Sequence, residues 1–202
     1  MRLILVRHGL PEKVTGSVQA DPALTEVGRR QAERVVDALA ADTVDAVYAS
    51  TMTRARQTAE PLAEDRGLDV GTVADLCEFD SDRVSYLPTE LLAAERPDEW
   101  ARMVAGDLPS YVDAPAFAAR VVAAVEKIVA VHSGRDTVAV FAHAGVINAY
   151  LSHILGSARS LPFPLDYAGI TRVVARRDGV RKPRSVNEFA HVADLLGHVP
   201  RT

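Results

Sequence analysis

Cysteine is nearly absent from this sequence, because Cys77 is the only one among 202 residues. A disulfide within the chain therefore cannot form, which is typical of proteins that work in a reducing compartment. Residues 1–6 lead straight into a polar motif and do not form the apolar h-region of a signal peptide. Together these features predict a cytoplasmic protein.

The sequence also has no long apolar run and no basic run. No stretch approaches the roughly 18 uncharged residues that a membrane-spanning helix requires, so we expect no membrane partner. The net charge is −4 and the arginines are scattered along the chain, which argues against a nucleic-acid partner. With 48% hydrophobic and 25% charged residues, the chain is typical of a single globular domain over residues 1–202.

Short apolar runs rich in β-branched residues alternate with amphipathic helical patterns. The predicted strands cover residues 2–6, 45–50 and 137–142, and the predicted helices cover residues 26–41, 51–66, 113–132 and 146–155. A later Asp178-Gly179 pair between two extended segments is typical of a hairpin and adds one antiparallel strand. This order predicts an α/β fold with a mostly parallel sheet.

The middle of the chain interrupts this alternation. Pro88, Pro97 and Pro109 divide the segment into short helical pieces. We interpret residues from about 80 to 111 as an inserted, lid-like segment within the single domain.

Two predicted strands end in a histidine that is followed closely by glycine. The motif Arg7-His8-Gly9 ends the first strand, and His143 follows the strand at 137–142. Because ligands bind at the carboxyl ends of strands in open α/β sheets, we expect His8 and His143 to meet there. A single such histidine is often structural, but the repeated arrangement favours a nucleophile that carries a phosphoryl group through a transient N–P bond.

Positive charge near this strand end would neutralise a phosphate dianion. Arg7 is adjacent to His8, and Arg54 lies in the first turn of the predicted helix 51–66, where the macrodipole disfavours a cation. A phosphate bound at this helix start would explain Arg54, although a solvated helix face is the alternative. Arg56 lies about 200° around the helix from Arg54, so the two cannot face one site.

Hydrolysis of a phosphate ester also needs a proton donor for the leaving group. Carboxyl groups cluster at Asp75, Glu78, Asp80 and Asp82, and the pattern does not choose among them. The competing use of the histidines and carboxylates is a metal site. No His-x-x-x-His or Cys/His ligand spacing supports it, so we expect no metal.

Four ordered blocks of sequence resemble those of a known family. They are Leu5-Val6-Arg7-His8-Gly9, Leu24-Thr25-x-x-Gly28-x-x-Gln31-Ala32, Ser50-x-x-x-Arg54-Ala55-x-Gln57-Thr58-Ala59 and Ala142-His143-Ala144-Gly145-Val146, and Asn187-x-x-x-His191 is a further similarity. The chain is similar over about residues 2–191 to the histidine phosphatase superfamily, also called the phosphoglycerate mutase-like family.

The resemblance implies a three-layer α/β/α sandwich of the phosphoglycerate mutase-like type. It implies that His8 carries the phosphoryl group and that Glu78 is the proton donor. The pocket that holds the phosphoryl group would be formed by Arg7, Arg54 and His143. The hydrolytic members of the family require no metal or organic cofactor, so none is expected here.

The sequence departs from the family pattern at several positions. Ala144 stands where many members have glycine, and it is expected to lie beside the bound phosphate. Thr15 vaguely resembles a residue with which mutases contact phosphate, but the loop at 10–20 is short and lacks their Asn- and Trp-rich pattern. The residues after Glu78 match neither the phosphatase nor the mutase pattern, which leaves Asp80 as the alternative proton donor.

These features favour a phosphomonoester hydrolase that acts through a phosphohistidine intermediate on a small phosphorylated metabolite. A cofactor-dependent phosphoglycerate mutase-type phosphotransferase and a catalytically silent phosphoester-binding protein are the alternatives. The expected partner is the small phosphorylated substrate. A homo-oligomer is compatible with the sequence, which identifies neither the metabolite nor the oligomeric state.

Overall fold

The structure is a computed structural model that describes residues 1–13, 21–81, 89–132 and 134–197. Six strands form one sheet: β1 (Arg2–Arg7), β2 (Ala46–Ser50), β3 (Val70–Val73), β4 (Thr137–Ala142), β5 (Ile170–Ala175) and β6 (Arg181–Glu188). The α-helices are α1 (Glu26–Ala38), α2 (Thr53–Arg66), α3 (Thr89–Glu95), α4 (Pro97–Val104), α5 (Ala114–Val131) and α6 (Ala144–Leu155). Short 3₁₀ helices cover Ala74–Leu76 and Ala190–Leu195. Among the described helices, none is both long and apolar enough to cross a membrane.

The sheet has the order β3-β2-β4-β1-β5-β6. β1, β2, β3 and β4 pair in parallel, whereas β5 is antiparallel to both of its neighbours. The register pairs Arg7 with Ala142, so His8 and His143 leave the sheet side by side. The prediction of a mostly parallel sheet with one antiparallel strand is confirmed, whereas the short edge strand β3 was not predicted.

Both faces of the sheet are covered by helices, because successive residues of the central strands point to opposite sides. On one face Leu3 and Leu5 join a buried cluster that includes residues of α5 and α6. On the other face Ile4 and Val6 join a cluster with residues of α1 and α2. The three-layer α/β/α sandwich is therefore confirmed.

The segment that we interpret as lid-like contains the short helices α3 and α4. α4 contributes no buried residue, and Val104 at its end is 51% exposed. Residues 82–88 lie outside the described residues, as does Thr15, so a role as a lid and a single domain over 1–202 stay predictions.

The loop after β1 packs directly on the start of α1. The Thr25 hydroxyl accepts the N–H of Gly28 at 2.9 Å and donates to the carbonyl of Leu10 at 3.0 Å. A Cβ on Gly28 would lie 2.2 Å from the Leu10 oxygen, and a Cβ on Gly9 would lie 2.5 Å from the Gly28 oxygen. Only glycine allows this backbone contact, which holds the loop that follows the first histidine.

We predict that Gly28→Ala lowers the free energy of unfolding by about 1–3 kcal/mol, because the new methyl group must displace a backbone carbonyl. An alanine in an open helix position would instead stabilise by roughly 1 kcal/mol. Urea unfolding followed by circular dichroism measures the change. Gly134→Ala is the control, since its Cβ would lie 3.4 Å from the flexible Arg177 side chain. A Gly28→Ala variant as stable as the wild type would contradict the close contact.

Candidate active site

The carboxyl ends of β1, β2 and β4 bring three of the predicted site residues together. His8 follows β1, His143 follows β4, and Arg54 is the second residue of α2, directly after β2. The ring centroids of the two histidines are 5.1 Å apart, and Nε of Arg54 lies 3.3 Å from Nε2 of His8. All three side chains are buried, so the charge of Arg54 acts on the two histidines with little screening by water.

The hydrogen bonds of His8 determine which ring nitrogen is available. Nδ1 lies 2.7 Å from the carbonyl oxygen of Gly9, and an oxygen acceptor requires that Nδ1 carries the proton. Burial, together with the charges of Arg54 and Arg7, lowers the pKa of His8 well below its ordinary value. The imidazole is therefore neutral at neutral pH, and its lone pair is at Nε2.

Arg7 is held by an aromatic ring that sequence reasoning missed. Its guanidinium carbon lies 3.9 Å from the centroid of the Tyr167 ring, a cation–π contact, and its Nη1 donates to the carbonyl of Leu165. The Tyr167 ring centroid is also 5.7 Å from that of His8. Tyr167 lies in a loop without periodicity or a recognised motif, so no signal in the sequence pointed to it.

The same loop is fixed by the Asn187-x-x-x-His191 motif. The Asn187 side chain accepts the N–H of Asp166 at 2.8 Å and donates to the Asp166 carboxylate at 2.8 Å. Nε2 of His191 lies 3.1 Å from the carbonyl of Ala168, whose N–H donates to the carbonyl of His8. Ala168 and Asn187 both have φ of 55°, a conformation that costs energy in non-glycine residues. The motif thus secures the loop against the His8 backbone.

Arg54 is surrounded by carboxylates, which the sequence did not predict. Asp21 accepts hydrogen bonds from the Thr53 N–H at 2.8 Å and the Thr53 hydroxyl at 2.7 Å. Nη1 of Arg54 lies 4.0 Å from Asp21, and Nη2 lies 3.7 Å from Asp80. Asp21 already bonds the Thr53 N–H, so this backbone group is occupied in the structure, and phosphate binding at Arg54 and this helix start stays a prediction. Arg56 is exposed, as its angular position on the helix predicts.

Glu78 lies in the same cluster. Its carboxylate accepts the N–H of Gly145 at 2.9 Å and the N–H of Phe79 at 3.2 Å. Burial, with the charge of Asp80, raises the pKa of Glu78 to about 7, although the two N–H bonds and Arg54 oppose this. Glu78 therefore carries a proton at mildly acidic pH, as a general acid must.

His143 forms the N-cap of α6, which begins two residues earlier than predicted. Nε2 of His143 lies 3.0 Å from the hydroxyl oxygen of Ser50. Burial, with the charge of Arg54, lowers the pKa of His143 well below its ordinary value. Ala144 is the first residue of α6 and is partly buried beside the cluster, while Thr15 lies outside the described residues.

The assembled groups define a class of site. Two arginines flank a buried neutral histidine, and a protonatable carboxyl group lies against the same cluster. Such a constellation suits the transfer of a phosphoryl group to a nitrogen nucleophile. Within residues 1–13, 21–81, 89–132 and 134–197, no group of three or more His, Cys, Asp or Glu side chains forms a metal cluster.

Comparison with known proteins identifies the family. The sequence model of the histidine phosphatase superfamily (branch 1) matches residues 3–188. The chain belongs to this superfamily, and the resemblance stated from its motifs is confirmed.

One similar protein is named a phosphatase and another a probable mutase. Phosphoserine phosphatase 1 of Hydrogenobacter thermophilus is 32% identical over 107 residues, which is 52% of this chain but only 51% of that protein. The protein named Probable phosphoglycerate mutase GpmB of Yersinia enterocolitica is 27% identical over 166 residues, 77% of this chain and 75% of that protein.

A solved structure is similar over nearly the whole chain. It is a mycobacterial glucosyl-3-phosphoglycerate phosphatase in complex with VO3, with a TM-score of 0.76 and 26% identity over 92% of this chain and 98% of that one. The family and its phosphatase-named members support the predicted class, a phosphoric monoester hydrolase.

We predict that Glu78→Gln changes how stability depends on pH. Folding raises the pKa of Glu78 from 4.5 to about 7, so between these values the folded protein keeps a proton that the unfolded chain releases. The carboxyl group therefore destabilises the fold progressively as pH rises through this window. The glutamine variant lacks this effect, and its stability relative to the wild type should increase by up to roughly 3 kcal/mol from pH 4.5 to 7.

Urea unfolding at several pH values measures this difference. Altered hydrogen bonds in Glu78→Gln add an offset that does not vary with pH, so the slope is the diagnostic quantity. Glu64→Gln, at an exposed position of α2, is the matched control and should follow the wild-type slope. Parallel curves for the wild type and Glu78→Gln would show that the carboxyl group has no raised pKa.

Proposed function

We propose that this protein hydrolyses a small phosphorylated metabolite through a phosphohistidine intermediate at His8. The observation that carries the proposal is the orientation of His8. Its Nδ1 is bound to the Gly9 carbonyl at 2.7 Å, and its Nε2 is directed at the Arg54 guanidinium at 3.3 Å. The Nε2 lone pair accepts the Arg54 Nε–H, and a phosphoryl group whose oxygens bind Arg54 would take the place of this bond and meet the lone pair.

Three groups are proposed to stabilise the phosphoryl group during transfer. Arg7 and Arg54 supply permanent positive charge, and His143 supplies a ring nitrogen within the same buried cluster. The incoming phosphate would compete with Asp80, which lies 3.7 Å from Arg54. Ala144 at the start of α6 and Thr15 are kept as further proposed phosphate contacts, Ala144 because the N–H groups of a helix start favour an anion.

Glu78 is the proposed acid and base. In the first step Nε2 of His8 bonds to phosphorus, the ester P–O bond breaks, and the leaving oxygen takes the proton of Glu78. In the second step the Glu78 carboxylate takes a proton from water, the water oxygen bonds to phosphorus, and the N–P bond breaks. Asp80 is the weaker candidate, because its ion pair with Arg54 favours a carboxylate over a proton donor.

The substrate class rests on the names of relatives. One relative is named for phosphoserine and a similar solved structure for glucosyl-3-phosphoglycerate, both small phosphorylated metabolites. We propose the same class of substrate here, handled by hydrolysis. A mutase would instead return the phosphoryl group to the substrate, so an isomerised product in place of free phosphate distinguishes the two reactions.

We predict that a covalent phosphate can be trapped on His8 with p-nitrophenyl phosphate. Nitrophenolate leaves without a proton, so Glu78→Gln should still form the phosphoenzyme. Hydrolysis of the phosphoenzyme should be slow, because the variant lacks the carboxylate that takes a proton from water. Intact-mass measurement after rapid quenching without acid should show the phosphorylated form accumulating in Glu78→Gln. His8→Ala should be unphosphorylated and inactive.

His153→Ala is the matched control, because this histidine is exposed on α6 away from the cluster. It should turn over substrate as the wild type does. Absence of the phosphorylated form in both the wild type and Glu78→Gln, or full activity of His8→Ala, would contradict the mechanism.

We predict that kcat/KM for an alkyl phosphate ester decreases as pH rises through about 7, because Glu78 loses the proton that the leaving group needs. His8 stays neutral throughout, since its pKa is lowered. Initial rates are best measured above pH 6.5, where the ester, with a second pKa of roughly 6, is mostly a dianion. Glu78→Gln should be slower by about 10²–10⁴-fold and lack the alkaline decrease. If kcat/KM of Glu78→Gln still decreases as pH rises through about 7, a group other than Glu78 causes the decrease.

A further inference from the structure

Ser50 is a fully buried residue at the end of β2, and its hydroxyl oxygen contacts three groups. It lies 3.0 Å from Nε2 of His143 and 3.5 Å from Sγ of Cys77. It also accepts the N–H of Met52 at 3.3 Å. One lone pair is thus used by the backbone, and the single hydroxyl proton has two candidate acceptors.

The other nitrogen of His143 has no such contact. Nδ1 is buried and makes no hydrogen bond to any residue in the part of the chain that the structure describes. A buried polar nitrogen without a partner is costly, and native structures rarely keep one without a reason. Because the His143 ring centroid lies 5.1 Å from that of His8, a phosphoryl group on His8 is a fitting partner.

Two tautomers of His143 are compatible with the contact to Ser50. If Nε2 carries the proton, it donates to Ser50, the hydroxyl proton turns to Cys77, and Nδ1 is left with a lone pair. If Ser50 donates to Nε2, the imidazole proton is on Nδ1. Burial keeps His143 neutral by lowering its pKa, so one of these two forms is present at neutral pH.

The second tautomer is favoured for two reasons. An imidazole nitrogen is a better acceptor than a thiol sulfur, so the Ser50 proton has its stronger partner in His143 rather than Cys77. A protonated Nδ1 can donate to a phosphoryl oxygen, whereas a lone pair there would repel it.

We propose that Ser50 is a positioning residue: its hydroxyl donates to Nε2 of His143 and so fixes the tautomer whose Nδ1–H binds the phosphoryl group. The inference rests on the proposed function, because it assumes that the anion held beside His8 is a phosphoryl group. It assigns to Ser50 no contact with substrate. Its effect is to decide whether His143 is a donor or an acceptor in the pocket.

The tautomer can be measured directly by NMR on protein labelled with ¹⁵N-histidine, with inorganic phosphate as the probe. The His143 signals are identified by their loss in His143→Asn. We expect Nδ1 to be protonated and Nε2 unprotonated in the wild type with phosphate bound. In Ser50→Ala the preference should be lost, and the Kd for phosphate should rise by about tenfold or more.

Kinetics with p-nitrophenyl phosphate provides the second measurement. We expect Ser50→Ala to lower kcat/KM by about ten- to a hundredfold, and Ser50→Thr, which keeps the hydroxyl, to restore most of it. Thr137→Val is the matched control, because Thr137 is equally buried at the start of β4 and its hydroxyl makes no hydrogen bond within the described residues. This control should bind phosphate and turn over substrate as the wild type does. Urea unfolding verifies that each variant is folded.

The outcomes separate this inference from the proposed function. A protonated Nε2 on phosphate-bound wild-type His143, or unchanged phosphate affinity in folded Ser50→Ala, would overturn the role of Ser50 even if the protein is a phosphatase. A tautomer and phosphate affinity that depend on Ser50 would support it even if no ester is hydrolysed, in which case only the proposed function fails.

Discussion

Arg54 is a fully buried cation, and the arrangement of the site follows from how this charge is compensated. Its guanidinium group lies 3.3 Å from Nε2 of His8, 4.0 Å from Asp21 and 3.7 Å from Asp80. A buried charge without partners costs several kcal/mol, so these carboxylates are needed for Arg54 to occupy this position. Asp21 also bonds the Thr53 N–H at the start of α2, which ties the helix to the loop that precedes α1.

Desolvation by this buried setting moves both kinds of titratable group toward their neutral forms. It lowers the pKa of His8 and His143, and it raises the pKa of Glu78 to about 7. The arginines do not shift toward a neutral form, since a guanidinium group stays protonated in proteins. The pocket near pH 7 therefore combines guanidinium charges with neutral histidines and a carboxyl group near its titration midpoint. The same burial favours the states in which His8 would act as the proposed nucleophile and Glu78 as the proposed acid.

Much of the fold and of the candidate site could be predicted from the hydrophobic periodicity of the sequence and from the residues at the ends of the predicted strands. Apolar runs located β1, β2 and β4, and the topology of a parallel sheet brought His8 and His143 to one edge. The helical period separated Arg54 from Arg56. The choice of Glu78 among the neighbouring carboxyl groups rested on the family resemblance and not on the pattern.

Contacts could not be predicted where the residues are distant in sequence and belong to no helical or strand periodicity. The Tyr167 ring packs against Arg7 only because the loop before β5 returns to the end of β1. Asp21 compensates Arg54 from a loop, so its role is invisible in the helical pattern. The four-residue strand β3 has a glycine at its second position and partly exposed residues, which leaves no clear alternation to recognise.

The sequence departs from the family pattern at Ala144, and the geometry at the start of α6 explains why glycine is required at position 145 and not at position 144. The family pattern that the sequence resembles favours glycine at this position, whereas here Ala144 is the first, partly buried residue of α6. The next residue has no such freedom, since a Cβ on Gly145 would lie 2.3 Å from Oε1 of Glu78. The Gly145 N–H also donates to that carboxylate at 2.9 Å. Gly145 therefore fixes the carboxyl group against the start of α6, and the alanine before it leaves this contact intact.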